Sequence, residues 1–258
     1  MSTLELFDLS NKVSIITGGA DGLGRIFATA LAEAGSNIVI CSRKLEKCEA
    51  TAHNLEKLGV KVLAIKCDIS QEEDIDNIVA KTIKEFQRID ILVNNSGRTW
   101  GASPEEFKIE DWKKVIDVNI NGTFMFSQKV GKEMIRKEKG KIINISSYAG
   151  FGGTDPDYMN AIPYNASKGA VITFTKDLAT KWAKYNINVN SIAPGFFPSK
   201  MSKWILENKG EKITGRLLIK RFGRPDDLKG TVVFLASKAS DYITGQVLSV
   251  DGGITAWF

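Results

Sequence analysis

The chain has 258 residues, 43% of them hydrophobic and 25% charged, the balance of a globular domain rather than of a disordered or fibrous chain. Its formal net charge of +5, from 35 Lys and Arg against 30 Asp and Glu, suits an anionic small molecule and does not by itself imply nucleic acid. No apolar run approaches the roughly 20 residues of a membrane-spanning helix, and Met1 to Glu5 show no basic stretch leading into a hydrophobic one, so neither a membrane nor a secreted protein is expected.

The three cysteines, Cys41, Cys48 and Cys67, form no CxxC pair and leave an odd count. That predicts reduced thiols in a cytoplasmic protein, with neither a disulfide framework nor a metal site. The one histidine, His53, falls in a run that reads as a surface helix, too little for a Ser-His-Asp triad or a histidine-bound metal. Lys and Arg are interleaved with acids along helices, and no nucleic-acid-binding signature appears, so no nucleic-acid partner is expected.

In chain order, a short β-branched run at 13–16 enters the turn Thr17-Gly18-Gly19-Ala20-Asp21-Gly22-Leu23-Gly24, and helical spacing follows over 22–34. Glycines at a strand-to-helix turn permit positive φ and let backbone N–H groups and the helix dipole meet a phosphate. The pattern is GxxxGxG, a nucleotide-phosphate cradle of moderate specificity on its own. A second strand at 37–41 ends at Ser42, Arg43 and Lys44, where a dinucleotide-binding fold distinguishes a free ribose 2′-hydroxyl from a 2′-phosphate. An acid there would favour NAD. Ser42 as a donor and Arg43 as a guanidinium favour NADP(H) over NAD(H).

A helix is expected over 45–58, a third strand over 60–66, and then Cys67-Asp68-Ile69, which would place Asp68 beside the adenine with Ile69 following. A helix over 72–86 leads to a strand at 89–93 and to Asn94-Asn95-Ser96-Gly97, where Asn95 and Gly97 give a small turn past which the cofactor would run. A helix over 120–137 precedes a fifth strand at 141–145 and the pair Ser146-Ser147. A helix over 166–185 leads to a strand at 188–192. The segment from Pro194 and Gly195 to Arg224 mixes apolar residues with lysines and reads as an inserted helix and loop, a substrate lid at about 194–224. The last strand is expected at 246–250.

Strands that are nearly continuous Val, Ile and Leu, alternating with helices, predict an α/β protein: one doubly wound parallel sheet of about seven strands with helices on both faces. No linker or repeat divides the chain, so residues 1–258 read as a single domain, with ligands beyond the carboxyl ends of the strands. Tyr164 and Lys168, four apart, share a helix face and can aim a phenol and an ammonium into one site. Lys168 is then expected to lower the phenol's pKa, which would fit Tyr164 for proton transfer nearer neutral pH. Ser147 also falls at a carboxyl strand end.

Taken together, Thr17 to Gly24, Asn94 to Gly97, Asn119 within Asp117-Val118-Asn119-Ile120-Asn121-Gly122, Ser147, Tyr164 with Lys168, Pro194-Gly195 and Val250-Asp251-Gly252-Gly253 resemble the short-chain dehydrogenase/reductase family over nearly the whole chain. The resemblance implies a Rossmann-like fold. It implies that Tyr164 is the general acid in ketone reduction and the base in alcohol oxidation, and that Ser147 hydrogen-bonds the substrate oxygen. Lys168 would hold the nicotinamide ribose and tune Tyr164, and Asn119 would kink a helix and support a water linking Lys168 to solvent. Ser146 is the rival for the serine role and more readily serves nearby backbone. A homotetramer built through the helices at 120–137 and 166–185 is also implied, with the apolar tail at 254–258 suited either to such an interface or to folding back on its own subunit.

Two departures from the family pattern bear on substrate. Tyr164 lies seventeen positions after Ser147, so the loop from Phe151 to Met159 must bulge beside the substrate. After Pro194-Gly195 the chain reads Phe196-Phe197-Pro198-Ser199, which leaves Ser199 as the nearest substitute for a cofactor-touching threonine. Trp100, Phe151, Phe196, Phe197, Met201 and Trp204 are candidates for a greasy pocket that favours an acyl chain, the alternative being that half of them pack the inserted helix against the sheet; Met201 and Ile205 would share a helical face. From Ser199 to Lys229 there are nine Lys and Arg against four Asp and Glu, a rim that could meet the phosphates of coenzyme A or an acyl carrier protein, or be a solvated helix face. The segments 95–101 and 194–201 resemble 3-oxoacyl thioester reductases of the rhamnolipid-associated branch, and gluconate 5-dehydrogenase-like enzymes are also similar. The expected activity is NADPH-dependent reduction of a 3-oxoacyl thioester. Sugar-acid or polyol dehydrogenation is the alternative, and a non-catalytic dinucleotide sensor or scaffold a remote one.

Overall fold

The computed structural model describes residues 2–157 and 159–257. Tyr158 of the predicted substrate-side bulge and Phe258 of the apolar tail lie outside the described residues.

Seven strands, β1 (Val13–Thr17), β2 (Asn37–Ser42), β3 (Val62–Lys66), β4 (Ile91–Asn94), β5 (Gly140–Ile145), β6 (Ile187–Pro194) and β7 (Val247–Val250), form one sheet in the order β3-β2-β1-β4-β5-β6-β7. Every pairing is parallel. Adjacent residues of one strand face opposite layers. Ile16 and Ile40 pack with Phe27 and Leu31 of α1 (Gly22–Glu33), Leu55 of α2 (Leu45–Glu56) and Leu228 and Val232 of α8 (Pro225–Ala236). Ile15 and Val39 pack on the other face with Ile75 and Ile78 of α3 (Glu72–Phe86) and with Phe126, Val130 and Met134 of α5 (Gly122–Arg136). Both strand faces are therefore apolar, as a doubly wound sheet requires. The order reverses at β1, whose neighbours are β2 and β4, and this opens a crevice at the carboxyl ends of the strands.

All seven expected strands are present within two residues or so of their predicted limits, and the departures lie among the helices. The helix α6 (Ile162–Trp182) starts four residues before the expected 166, because Pro163 occupies its first turn, where no N–H partner is needed. Tyr164 thus stands in an ordered first turn. Two helices escaped the sequence reading: α4 (Ile109–Ile116), whose eight residues bury only Val115, and α8, whose Thr231-Val232-Val233 run is β-branched although Pro225, Asp226 and Asp227 start it as a helix. A π-helical turn, Asp117–Asn121, joins α4 to α5 and contains Asn119, so the expected helix over 120–137 is the far half of an interrupted one. The lid contains α7 (Lys203–Arg216). Met201 precedes α7, so the expected shared helical face with Ile205 does not form.

Candidate active site

At the end of β1 the chain turns through Gly18 (φ 66°) and Gly22 (φ 52°) into the amino end of α1. A Cβ on Gly24 would collide with the Gly18 carbonyl oxygen, so the glycine spacing follows from how closely the turn passes the helix. Asp21 caps α1, its Oδ1 accepting the Gly22 N–H at 2.9 Å. Its other oxygen lies 2.9 Å from Lys200 of the lid and 3.5 Å from Lys47, and the Lys200 contact with the Gly22 N–H holds the carboxyl at about 2. Asn95 secures this turn to β4: its N–H donates to Thr17 Oγ1 at 3.0 Å and its Nδ2 to the Thr17 carbonyl at 2.9 Å. A Cβ on Gly22 would stand 3.8 Å from Cβ of Ser199, which places Ser199 of the lid directly across from the cradle.

The other predicted cofactor positions gather around one cavity of about 880 Å³, lined by Gly18, Asp21, Gly22, Leu23, Ser42, Arg43, Asp68, Ile69, Asn95, Gly97, Pro194, Gly195 and Ser199 together with Ser147, Tyr164 and Lys168. Gly24 and Asn119 stand behind this lining. The Ser42 hydroxyl is occupied locally, donating to the Lys44 carbonyl at 3.1 Å and accepting the Lys44 N–H at 3.3 Å; it shapes the turn into α2 instead of standing free as a donor. No hydrogen bond or ion pair among the described residues engages the Arg43 guanidinium. Asp68 Oδ1 accepts from the Ser70 N–H and hydroxyl at 3.1 and 2.7 Å, and Ile69 packs beneath Gly122 at the start of α5.

Across the crevice, Ser146 donates to the Ile192 carbonyl at 3.1 Å and accepts from Ser191 at 2.7 Å, which spends its hydroxyl on the sheet. The Ser147 hydroxyl accepts the Ala149 N–H at 3.2 Å, and its interaction with the Tyr164 phenol favours the phenol's charged form. The Ser146 hydroxyl is thus taken up by the sheet, whereas that of Ser147 acts on the phenol. Lys168 donates from Nζ to the Ile145 carbonyl at 2.7 Å and stands 5.6 Å from the centre of the Tyr164 ring. Burial pushes its pKa down to about 8. Burial also pushes the Tyr164 phenol above its usual range, against the opposing bond from Ser147. The expectation that Lys168 brings the phenol down is not met here: burial raises the phenol with only Ser147 opposing it, and burial likewise disfavours the ammonium's own charge.

Asn119, 1% exposed, ties these parts together from the π turn. Its Nδ2 donates to Ser167 Oγ at 2.8 Å and to the Arg98 carbonyl at 3.0 Å, and its Oδ1 accepts the Arg98 N–H at 2.8 Å. Ser167 in turn donates to the Tyr164 carbonyl at 2.7 Å. A Cβ placed on Gly97 would lie 3.7 Å from both Asn119 Oδ1 and Lys168 Nζ, so two distant helices converge there. Sequence reasoning missed Ser167 and the buried relay below the site, in which Asn94 Nδ2 donates to Ser127 and Asn144, and Asn144 Nδ2 to Thr175. Polar residues at unrelated spacings carry no periodic signal.

Of the pocket candidates, Phe196, Phe197, Met201 and Trp204 line the cavity, joined by Met159 and Ile205. Trp100 and Phe151 do not line it. They are 46% and 45% exposed, Trp100 carrying the Arg98 guanidinium 6.0 Å from its ring centre. The basic rim is largely paired: Lys200 with Asp21, Lys212 and Arg216 with Asp155, Arg221 with Asp227, and Lys229 with Glu33.

A phosphate cradle and a phenol–ammonium–hydroxyl cluster on opposite walls of one crevice define a dinucleotide-dependent oxidoreductase. The residues fit a nicotinamide dinucleotide, because the cradle turns through a left-handed Gly18 and leaves no room for a Cβ at Gly24, and Arg43 at the far end has no ion-pair partner among the described residues. Residues 12–210 match the family model described as short chain dehydrogenase, and the chain belongs to the short-chain dehydrogenase/reductase family. It is 36% identical to a 3-oxoacyl-acyl-carrier-protein reductase of Aquifex aeolicus, over 95% of this chain and 98% of that one. It is 39% identical to a 2-dehydro-3-deoxy-D-gluconate 5-dehydrogenase of Dickeya dadantii, over 97% and 98%. A gluconate 5-dehydrogenase from Burkholderia cenocepacia, solved in complex with NADP and tartrate, superposes with a TM-score of 0.94 at 35% identity, covering 99% of each chain.

Because the Lys168 pKa falls from an ordinary 10.5 to about 8 on folding, the unfolded state binds the extra proton between those values, and this group's contribution to stability rises with pH across that window. Lys168→Met removes the titration. The stability advantage of the variant over the parent, measured by urea unfolding, is expected to be larger at pH 7 than at pH 10.

Proposed function

We propose that this oxidoreductase reduces a 3-oxoacyl thioester, carried on coenzyme A or an acyl carrier protein, with NADPH. The observation that carries this reading is the apolar wall formed by Met159, Phe196, Met201, Trp204 and Ile205 beside the Tyr164 cluster, which suits an alkyl chain better than a polyol. The likeness to a 3-oxoacyl-acyl-carrier-protein reductase supports it. Bound in the crevice, NADPH supplies the hydride.

The chain's own groups then manage the oxygen. Ser147 donates a hydrogen bond to the carbonyl oxygen, and Tyr164 delivers a proton to that oxygen as charge develops on it. Protonated Lys168 stabilises the phenolate left behind and holds the nicotinamide ribose hydroxyls. Asn119 fixes the first turn of α6 through Ser167. Arg43 meets the 2′-phosphate.

A second reading, oxidoreduction of a sugar acid, is favoured by one observation: Arg98 lines the cavity and has no acidic partner among the described residues, and a substrate carboxylate would suit its guanidinium. The protein's three free cysteines fit a cytoplasmic setting. The exposed Phe124, in edge contact with Phe174 across α5 and α6, fits a homotetramer joined through those helices.

Purified protein supplied with NADPH is expected to turn over acetoacetyl-CoA and a longer 3-oxoacyl thioester; activity on 5-ketogluconate alone would replace this reading with the second. Tyr164→Phe should cut turnover about 100-fold or more and leave NADPH binding by calorimetry intact. Full activity in that variant would remove Tyr164 from the mechanism, and binding of NADPH with no turnover by the parent on any of these substrates would leave a dinucleotide sensor or scaffold. Arg43→Ala should weaken NADPH binding by about 1–3 kcal/mol with little change for NADH, and equal losses for both would remove Arg43 from the 2′-phosphate.

A further inference from the structure

The longer chain between Ser147 and Tyr164 is built into the site rather than looped out of it. Its residues Pro156, Asp157, Met159 and Asn160 face the cavity, opposite Met201, Trp204 and Ile205 of the lid. Toward the catalytic helix, Asn165, the residue after Tyr164, donates from Nδ2 to Thr154 Oγ1 at 3.0 Å, and Thr154 donates to the Met159 carbonyl at 3.0 Å. The Ala102 N–H donates to the Asn160 carbonyl at 3.1 Å. Toward the lid, Lys212 of α7 lies 2.6 Å from Asp157 and 3.3 Å from Asp155, and Arg216, one helical turn on, lies 3.1 Å from Asp155. Asp155 is the shielded centre of this cluster, its side chain 19% exposed, and its Oδ1 also accepts the Asp157 N–H at 3.0 Å.

We infer that the Asp155–Lys212–Arg216 cluster is a specificity latch: it fastens the loop residues 154–157 and 159–160 to α7, so that loop and lid form the two facing sides of one slot whose width selects the chain carried beyond the reacting carbonyl. The selectivity for an alkyl chain rests on the acyl-thioester reading; the fastening itself rests on the ion pairs alone. Asp155, Lys212 and Arg216 are positioning residues. They stand behind the cavity lining and touch neither the cradle nor the Tyr164 cluster. A single exposed ion pair would hold little, but two cations sharing one shielded carboxylate form a network whose strength falls with added salt.

The test uses the intact protein with Asp155→Asn, which keeps the acceptor for the Asp157 N–H and removes the charge, Lys212→Met, and Lys212→Arg as the conservative control. Hydrogen exchange of the amides at 154–160 is expected to speed up in the first two variants and to stay near the parent's in the third. KM for 3-oxodecanoyl-CoA should rise about fivefold in the first two, the size of a partly shielded ion-pair network, with kcat for that substrate and both constants for acetoacetyl-CoA within about twofold of the parent. In the parent, added salt should raise the long-chain KM selectively. Unchanged exchange, or equal KM changes for the short and long thioesters, would overturn the latch. Faster exchange in variants of a parent that turns over neither thioester would keep the fastening and remove the acyl reading together with the chain selectivity.

Discussion

Everything at this site is arranged around one costly feature, an ammonium buried at the carboxyl edge of a parallel sheet. Lys168 is 4% exposed, and its Nζ donates to the Ile145 carbonyl at the end of β5. A charge in that position pays heavily for lost water, and its lowered pKa is the sign of that cost. Burial also raises the Tyr164 phenol, so each group is held in an environment that resists its charged form. An ammonium and a developing phenolate placed side by side relieve one another, and this is what suits the pair to passing a proton.

Holding that pair in register falls to parts far away in sequence. The π turn at Asp117–Asn121 breaks the helix running from α4 into α5 and turns Asn119 inward. Asn119 then spends every polar atom of its side chain, two bonds on Arg98 and one on Ser167. The cost of a disrupted helix is repaid by fixing the first turn of α6, where Tyr164 stands, to the loop after β4, where Gly97 opens the floor of the crevice.

On the substrate side the lid is a charged surface turned inward onto acids. Lys200 reaches Asp21 at the cradle, and Lys212 and Arg216 reach Asp155 and Asp157 in the loop before α6. The lysines that make this segment look like a solvated or carrier-binding rim thus spend much of their charge inside the molecule, leaving Met201, Trp204 and Ile205 facing the cavity.

The sequence by itself determined the seven strands, the doubly wound sheet, the cradle and the Tyr164–Lys168 pair, because each is written locally: apolar strand runs, glycines at a turn, two residues one helical turn apart. Only the tertiary structure decided which serine is available, since Ser146 is claimed by Ser191 and Ile192, residues 45 and 46 positions away. It alone excluded Trp100 and Phe151 from the cavity, because aromatic composition says nothing of the direction a side chain takes. It also reversed the expected shift of the phenol, since desolvation depends on what surrounds a group in space. Short-range pattern fixes the elements, whereas burial and long-range partners, which depend on the packing of segments far apart in the chain, fix the chemistry.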